Sequence, residues 1–535
     1  MQNNTPTAKK HDMTRRDWLR TTTMIGAAAT IAPRLQGAAP AAPAAAVADV
    51  RSDQVLDLGT RRELFVDRLL VERLENAVMK LHEPVSGGVA IRIDRPWEGA
   101  LNQGTVVIQV NEEYLLYYRG MRANQTDEPG SVGCLATSAD GITWTKPALS
   151  RHARSGRTDA NIVSTGGWVW LDTRPGIPED ERIKAVGIHT MDGAKLTGFG
   201  NPPGSRWIDL WASADGRVFR RLPEERQPTF VSSLRNSFDG GNTMFWSEAE
   251  QLYVFYYRFM LGQAINEYGQ TGLRAVARTT SPDLVNWSEP EPMTYGDAPF
   301  EQFYYNNTQA YFRAPHIYVA LAARFMEGRS ALNDTQADLI GLKSPRGGNY
   351  HQDCCDAVLM TTRPGSTQYD RTFMEALVRP GIGLGHWVSR TNFPLTGIFP
   401  HGPDKLMFYI NRRYCQDTGY IERMEMRLDG FASIHAPHAG GSLLTKPMKI
   451  SGDELVVNFS TSAAGSVRVE LQELDGTPIP GFTLADCPEM FGDEIERVVH
   501  WTRRPPLYKV AGKPLRLKFV MHDADIYAIQ FRSVG

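Results

Sequence analysis

Apolar and polar positions alternate along this chain with the two-residue period of β-strands, and the alternating unit itself recurs. The unit is an aromatic strand, a gap, a second strand, then a small polar residue with Asp, most often Asp-Gly, and often Trp; the fourth copy ends degenerately at Tyr369-Asp370. The first is Tyr114-Leu-Leu-Tyr-Tyr-Arg119 with Cys134-Leu-Ala-Thr-Ser138 and Asp140-Gly141-Ile-Thr-Trp144. The second covers 183–188 and 209–213 with Asp215-Gly216 and Phe219. The third is Tyr253-Val-Phe-Tyr-Tyr-Arg258 with 275–281, Asp283 and Trp287. The fourth pairs 316–321 with 356–362, and the fifth pairs 406–411 with 421–427 and Asp429-Gly430-Phe431. Five copies at roughly 65–80 residues predict propeller blades, because solenoid repeats run about 20–50. Asp closes each turn through its side chain and Gly accepts φ > 0, so the following Trp or Phe can fold back between blades. The fourth unit carries an insertion over 326–350, a length at which loops are functional or disordered.

Beyond Phe431 the pattern changes. Residues 435–441 read as a linker, followed by alternating segments at 455–459, 466–471, 515–520 and 527–532, with a hairpin signal at Leu474-Asp475-Gly476-Thr477. The predicted fold class is therefore all-β: a five-bladed β-propeller over 49–434, then an antiparallel β-sandwich over 441–535.

The first 48 residues have another logic. Lys9 and Lys10 precede Thr14-Arg15-Arg16-Asp17-Trp18-Leu19-Arg20, a short Ala/Thr-rich run, an Ala/Pro tract and Ala46-Val47-Ala48. Paired arginines before a weakly apolar stretch and a small-x-small site resemble a twin-arginine export signal. The apolar run is too short to anchor in a hydrocarbon core about 30 Å thick. The sequence thus predicts a bacterial protein of the periplasm or the extracellular space, handled by the Tat machinery and without a membrane anchor.

Composition removes some partners. A net charge of -2 in 535 residues gives no electrostatic reason for nucleic acid or an anionic membrane surface. Aromatics at 10% suit both β-structure and sugar-binding clefts, so they do not choose between them. Cys134, Cys354, Cys355, Cys415 and Cys487 form neither a disulfide framework nor a zinc spacing. No cofactor is expected; Asp and Asn oxygens suit a structural Ca²⁺, but no EF-hand-like loop occurs, so that ion is only an option left open.

Candidate chemistry follows from the repeat. Innermost blade strands converge on the axis, so residues at their starts share one funnel although distant in sequence. Before the five aromatic strands lie Trp97-Glu98-Gly99, Asp159-Ala-Asn161, Asp239-Gly-Gly-Asn242, Glu301 with Tyr304, Tyr305 and Asn306, and His386-Trp387-Val-Ser-Arg390-Thr-Asn392. Glycoside cleavage needs two carboxyl groups across the scissile bond, and nearby like charges raise the pKa of one of them. Asp239 and Glu301, then Glu98 and Asp159, are the catalytic candidates. Trp97, Tyr304 and Trp387 could serve as sugar platforms, with Asn161, Asn242, Asn306, His386, Arg390 and Asn392 around hydroxyls.

This arrangement resembles glycoside hydrolase families 32 and 43. More narrowly, Arg62-Glu-Leu-Phe-Val-Asp-Arg-Leu-Leu70, Asp94-Arg-Pro-Trp-Glu-Gly99 and Arg427-Leu-Asp-Gly-Phe-Ala-Ser-Ile434 resemble a group of exported bacterial family-32-like hydrolases. The resemblance implies a propeller-plus-sandwich glycosidase acting on carbohydrate. The invertase-type Asn-Asp-Pro-Asn-Gly, Arg-Asp-Pro and Glu-Cys motifs are absent, and Glu98 stands where those enzymes place Asp. Three rivals follow: a sialidase-like enzyme gripping a carboxylate with arginines and attacking with Tyr, a propeller that binds glycans or proteins without cleaving them, and a lyase using His386 with Tyr304 or Tyr305.

Overall fold

In a computed structural model, residues 55–533 are described, except 102, 122–130, 150–158, 164–167, 191–205, 225–226, 266–270, 344–348 and 504. The expected export segment lies outside the described residues.

Five antiparallel sheets form the propeller. Blade one runs Gln103–Val110, Glu113–Gly120, Val132–Ser138 and Ile162–Val163 from axis to rim. Blade two runs Trp168–Leu171, Ile183–Thr190 and Arg206–Ser213, with Arg220–Leu222 and Phe230–Val231 both paired to the third strand. Blade three runs Thr243–Ser247, Leu252–Ile265, Thr271–Ser281 and Glu291–Pro292. Blade four has a broken inner strand, Gln302–Tyr305 and Thr308–Tyr311, both paired to Ala314–Met326, and then Cys354–Thr362. Blade five runs Phe399–His401, Lys405–Arg412 and Tyr420–Arg427.

The outermost strand of blade five is Val85–Arg92, from the start of the described chain. The ring is closed by joining chain-distant strands. Its pairing shifts register twice, at Ile421/Glu422 and Arg423/Met424, and the strand is largely exposed.

The Asp-Gly turns behave as their chemistry dictates. Ser138 Oγ accepts from the Gly141 amide at 2.9 Å, and Asp140 Oδ1 accepts from Ile142 and Thr143, each at 2.7 Å. The turns of blades one and two dock on the preceding blade. Tyr117 of blade one donates to Gly216 O at 2.7 Å, and Tyr409 of blade five donates to Gly141 O at 2.6 Å. At Gly216, with φ +71, a Cβ would lie 2.4 Å from the Tyr117 oxygen, so both turn and packing require glycine. Trp144 stacks edge-on against Tyr409 across the blade boundary, 5.5 Å between centroids.

The C-terminal unit is built on one long bent antiparallel pair, Glu454–Gln472 against Arg516–Arg532, whose register breaks between Thr461 and Ser466. Its sheet curls around a single apolar core that includes Phe459, Val469, Trp501, Phe519 and Ile526. N-terminal strands belong to this unit and not to the propeller, which is where the structure departs from a propeller starting at 49. Arg62–Leu64 pairs with Arg516–Arg532, Val71–Glu75 with Gly441–Thr445, and Val78–Leu81 with Ala432–Ala436. These short segments bury Leu64, Phe65 and Val66 almost completely, so their apolar residues are spent on the seam between the two units.

That seam is dense in charge. Glu63, fully buried, accepts from His316 at 2.8 Å and Arg363 at 2.9 Å, while Arg363 also holds Asp67 at 2.7 Å. Arg62 meets Asp429 at 3.2 Å and Glu496 at 2.9 Å, and Tyr311 donates to Asp429 at 2.7 Å. All five cysteines are free and buried. Among the described residues no helix is long and apolar enough to cross a membrane.

Candidate active site

The strand order sets where side chains can meet. Within a blade the start of the inner strand pairs with the end of the second, as Gln103 pairs with Arg119 and Gln302 with Phe325. One end of the propeller therefore collects inner-strand entrances together with second-strand exits. The repeated Tyr-Tyr-Arg at 117–119 and 256–258 delivers Arg119 and Arg258 there.

Tyr304 lies at the centre of this end, 8% exposed. The guanidinium carbons of Arg258, Arg274 and Arg390 stand 4.3, 5.0 and 5.4 Å from its ring centroid. Beneath it Tyr305, Phe393 and Trp168 close the axis, with Tyr305 5.0 Å from Phe393 and 5.1 Å from Trp168. The funnel thus has an aromatic floor supplied by blades two, four and five. Arg390 reaches Tyr350 Oη at 3.2 Å and Tyr414 Oη at 3.3 Å. Tyr350 comes from the blade-four insertion, which carries the helix Asp334–Leu339 and packs Leu342 and Tyr350 against Leu101, Tyr414 and Cys415.

Asp239 sits on the wall. Its side chain is 38% exposed, paired with Arg258 and, at 3.3 Å, with Arg206. Arg258 outweighs the opposing effect of burial, and with Arg206 it holds the carboxyl at about 2, so Asp239 is ionised at neutral pH. For Tyr304, burial pushes the phenol up, yet Arg390 and Arg258 overcome it and leave its pKa below the ordinary value. Burial lowers His386 to about 4, helped by Arg412 and Arg413, so that imidazole is neutral.

The backbone here departs from relaxed geometry. Asn236, Phe238, Asn307, Arg390, Asn392, Arg413 and Cys415 all have positive φ. Such conformations cost a non-glycine residue roughly 1–2 kcal/mol each and cluster at functional sites. Gly241, at φ +66, lets blade three approach blade four, since a Cβ would lie 2.7 Å from Tyr305 Cα.

The sequence-predicted residues divide sharply. Asp239, Tyr304 and Arg390 meet in the funnel. Glu98 does not face it: it is fully buried, accepts from the Asp94 and Arg95 amides at 2.8 Å and from Tyr118 at 2.5 Å, and pairs with Lys146 at 2.8 Å. Trp97 is equally buried and donates to Asn161 Oδ1 at 2.8 Å, while Asn161 donates to Tyr118 Oη at 2.7 Å. Neither ring face nor amide is offered to a sugar. Asp159 is exposed beside the outermost strand of blade one, because Ile162–Val163 pairs with Val132–Ser138 and the inner strand of blade two begins only at Trp168.

Glu301 is held in a separate network, by Arg324 at 2.8 Å and Arg371 at 2.5 Å; Arg324 also binds Asp356 at 2.7 Å. None of these groups is a partner of Asp239. Asn306 ties blade three to blade four through Thr243 at 3.0 Å and Gly241 O. Asn392 donates to Cys355 O and His386 O and accepts from Arg412 at 2.6 Å. Asn242 donates to Phe238 O at 2.9 Å, and half-buried Trp387 donates to Gly381 O at 2.9 Å.

The structure adds Arg119, Arg258, Arg274, Tyr350 and Tyr414, and a further acid, Glu327, which accepts from Gln302 at 2.7 Å while Arg274 donates to Gln302 at 3.1 Å. Among the described residues no three His, Cys, Asp or Glu side chains gather as a metal site. A cleft of about 740 Å³ opens elsewhere, between the outer turns of blades one and two. Its acids are engaged: Asp140 and Asp215 by turn amides and Glu113 by Arg217 at 2.7 Å.

No family model and no curated protein matches the chain. Solved structures match the chain at low identity and TM-scores of 0.40 or below, and glycoside hydrolases and phosphorylases are among them. An N-acetylgalactosamine deacetylase from F. plautii, in complex with blood group B trisaccharide, is 10% identical over 66% of this chain and 96% of that one, with a TM-score of 0.40. A glycoside hydrolase family 43 arabinoxylan arabinofuranohydrolase from Bacillus subtilis is 11% identical over 82% and 96%, with a TM-score of 0.28. A β-1,2-mannobiose phosphorylase from Listeria innocua is 10% identical over 66% and 97%, with a TM-score of 0.37.

Proposed function

We propose that this protein is an exported glycoside hydrolase, whose poly- or oligosaccharide substrate enters the funnel and meets Asp239. One observation carries the reading. Of the four acids marked by the repeat, Asp239 alone both reaches solvent and stands against the Arg258–Tyr304 cluster. Cleavage of a glycoside needs an ionised carboxylate beside the anomeric carbon and a proton donor for the leaving oxygen. Arg258 keeps Asp239 charged, which suits attack on the sugar or activation of water and disfavours proton donation. Tyr304, with its phenol made more acidic by guanidiniums, supplies the proton.

A second reading exchanges the roles, with Tyr304 as nucleophile and Asp239 assisting; the lowered Tyr304 pKa favours it. A fluorinated glycoside trap followed by peptide mass spectrometry would place the covalent label on Tyr304 in that reading.

The mature protein, Asp239→Asn and Glu301→Gln are to be compared on a panel of polysaccharides and aryl glycosides. Asp239→Asn is expected to lose on the order of 10³-fold in kcat, and Glu301→Gln to keep turnover once folded. Cleavage untouched by Asp239→Asn overturns the assignment, and cleavage of nothing favours a propeller that only binds glycans. Export belongs to the proposal too: replacing Arg15 and Arg16 by Lys should strand the protein in the cytoplasm.

A further inference from the structure

The funnel holds more positive charge than cleavage of a neutral sugar requires. Arg119 ends the second strand of blade one, and Arg390 precedes the inner strand of blade five. Arg119 pairs across its blade with Gln103, and Arg390 donates to Tyr350 Oη at 3.2 Å and Tyr414 Oη at 3.3 Å. Three guanidiniums, those of Arg258, Arg274 and Arg390, gather within 5.4 Å of the Tyr304 ring centroid.

Hydrogen bonding points the same way. Arg119 donates to Gln103 at 3.3 Å, but its buried Nε has no acceptor among the described residues. Arg258, 2% exposed, likewise leaves Nε and Nη1 without an acceptor there. Each such buried donor costs about 1–3 kcal/mol. An oxyanion with two or three oxygens satisfies several of them at once and relieves the repulsion, because a planar guanidinium fork matches a carboxylate or sulfate. Arg390 is held for this at φ +60, a backbone conformation that costs folding energy. Hydroxyls of a neutral sugar bring no negative charge to this cluster. Asp239 repels an anion, but Arg258 and Arg206 already neutralise it.

We infer that this mouth recognises an anionic substituent on the glycan, a sugar carboxylate or a sulfate ester, gripped by Arg119 and Arg390 beside Asp239. The inference rests on the proposed glycosidase site and names the class of its substrate.

A glycan array carrying uronate-, sialate- and sulfate-bearing oligosaccharides beside neutral ones, probed with the mature protein, tests it. Retention confined to acidic glycans is expected, and the uronate and sulfate spots tell the two sources apart. Titration calorimetry with the best acidic glycan should show binding at least 30-fold weaker (on the order of one bidentate pair) for Arg390→Gln and for Arg119→Gln. Arg390→Lys, which keeps charge but loses the fork, should fall in between, and Asp239→Asn should bind as tightly as the unaltered chain or more so. Circular dichroism melts establish that each variant is folded. Binding of neutral glycans only, binding of none, or acidic binding indifferent to both arginines overturns the inference. Hydrolysis of a neutral glycan that depends on Asp239 would leave the glycosidase reading standing while this one fell.

Discussion

Two buried clusters of charge in this molecule are built on opposite plans. At the seam between propeller and C-terminal unit, Arg62, Arg313 and Arg363 meet Glu63, Asp67, Asp429 and Glu496, with Tyr311 completing Asp429. Each guanidinium there is answered by carboxylate. At the funnel mouth Arg390 donates to the phenols of Tyr350 and Tyr414, Arg119 donates to Gln103, and Asp239 is 38% exposed. Burying opposite charges together stabilises a particular docking of two units once the desolvation cost is met. Crowding like charges among tyrosines stabilises nothing by itself and creates a demand that a ligand can fill. The comparison separates an arginine that holds the fold from an arginine that waits for substrate.

Removing a seam carboxylate should have the largest effect on stability. Asp429→Ala leaves buried Arg62 and partly exposed Arg313 with only the more exposed Glu496 as shared carboxylate and is expected to cost roughly 3 kcal/mol, read as a lowered denaturation midpoint. Acid should strike the same place. Burial raises the Glu63 carboxyl, but Arg363 and His316 overcome it and hold it at about 2 against an ordinary 4.5. Its folded pKa is depressed, so the stabilisation is complete above about 4.5 and disappears as pH falls through about 2. The amount is about 3 kcal/mol, measurable as the change in unfolding free energy between pH 6 and pH 2.5.

Between blades the effects are smaller. Tyr117→Phe removes the bond to Gly216 O and should cost about 1 kcal/mol, without altering turnover. The smallest change in stability belongs to the mouth: Arg390→Gln loses the bonds to Tyr350 and Tyr414 but also the repulsion among the guanidiniums, and should leave the melting temperature nearly unchanged. A large drop in melting temperature for Arg390→Gln would erase the contrast between the two clusters.

Much of the fold is written in local chemistry. Ser138, Asp140 and Gly141 close their turn with their own side chains and backbone, and Trp144 covers it, so blade-by-blade repetition is visible without knowing any contact. The site was legible only in part. Asp239, Tyr304 and Arg390 stand where an inner-strand entrance predicts. Arg119 and Arg258 carry a signal of their own, since Tyr-Tyr-Arg recurs in the second strands of blades one and three, near the strand's end in blade one and midway along it in blade three; candidates sought only at inner-strand entrances do not include them. Glu98 and Glu301 misled for one reason: a carboxylate near a strand start can turn toward the funnel or into the blade wall. Lys146 with Tyr118, and Arg324 with Arg371, draw these two into the wall.

The N-terminal strands show the same division. Their alternation is readable, yet nothing local says that Arg62–Leu64 pairs with the last strand of the chain or that Val85–Arg92 closes blade five. By itself the sequence determined the strand period, the five turns and the residue types available at each blade entrance, because these depend on neighbours a few positions apart. Only the tertiary structure decided which strands are partners, which acids are neutralised and which arginines crowd together. Those outcomes are sums of burial and Coulomb energy over groups far apart in the chain, and spacing along it does not report them.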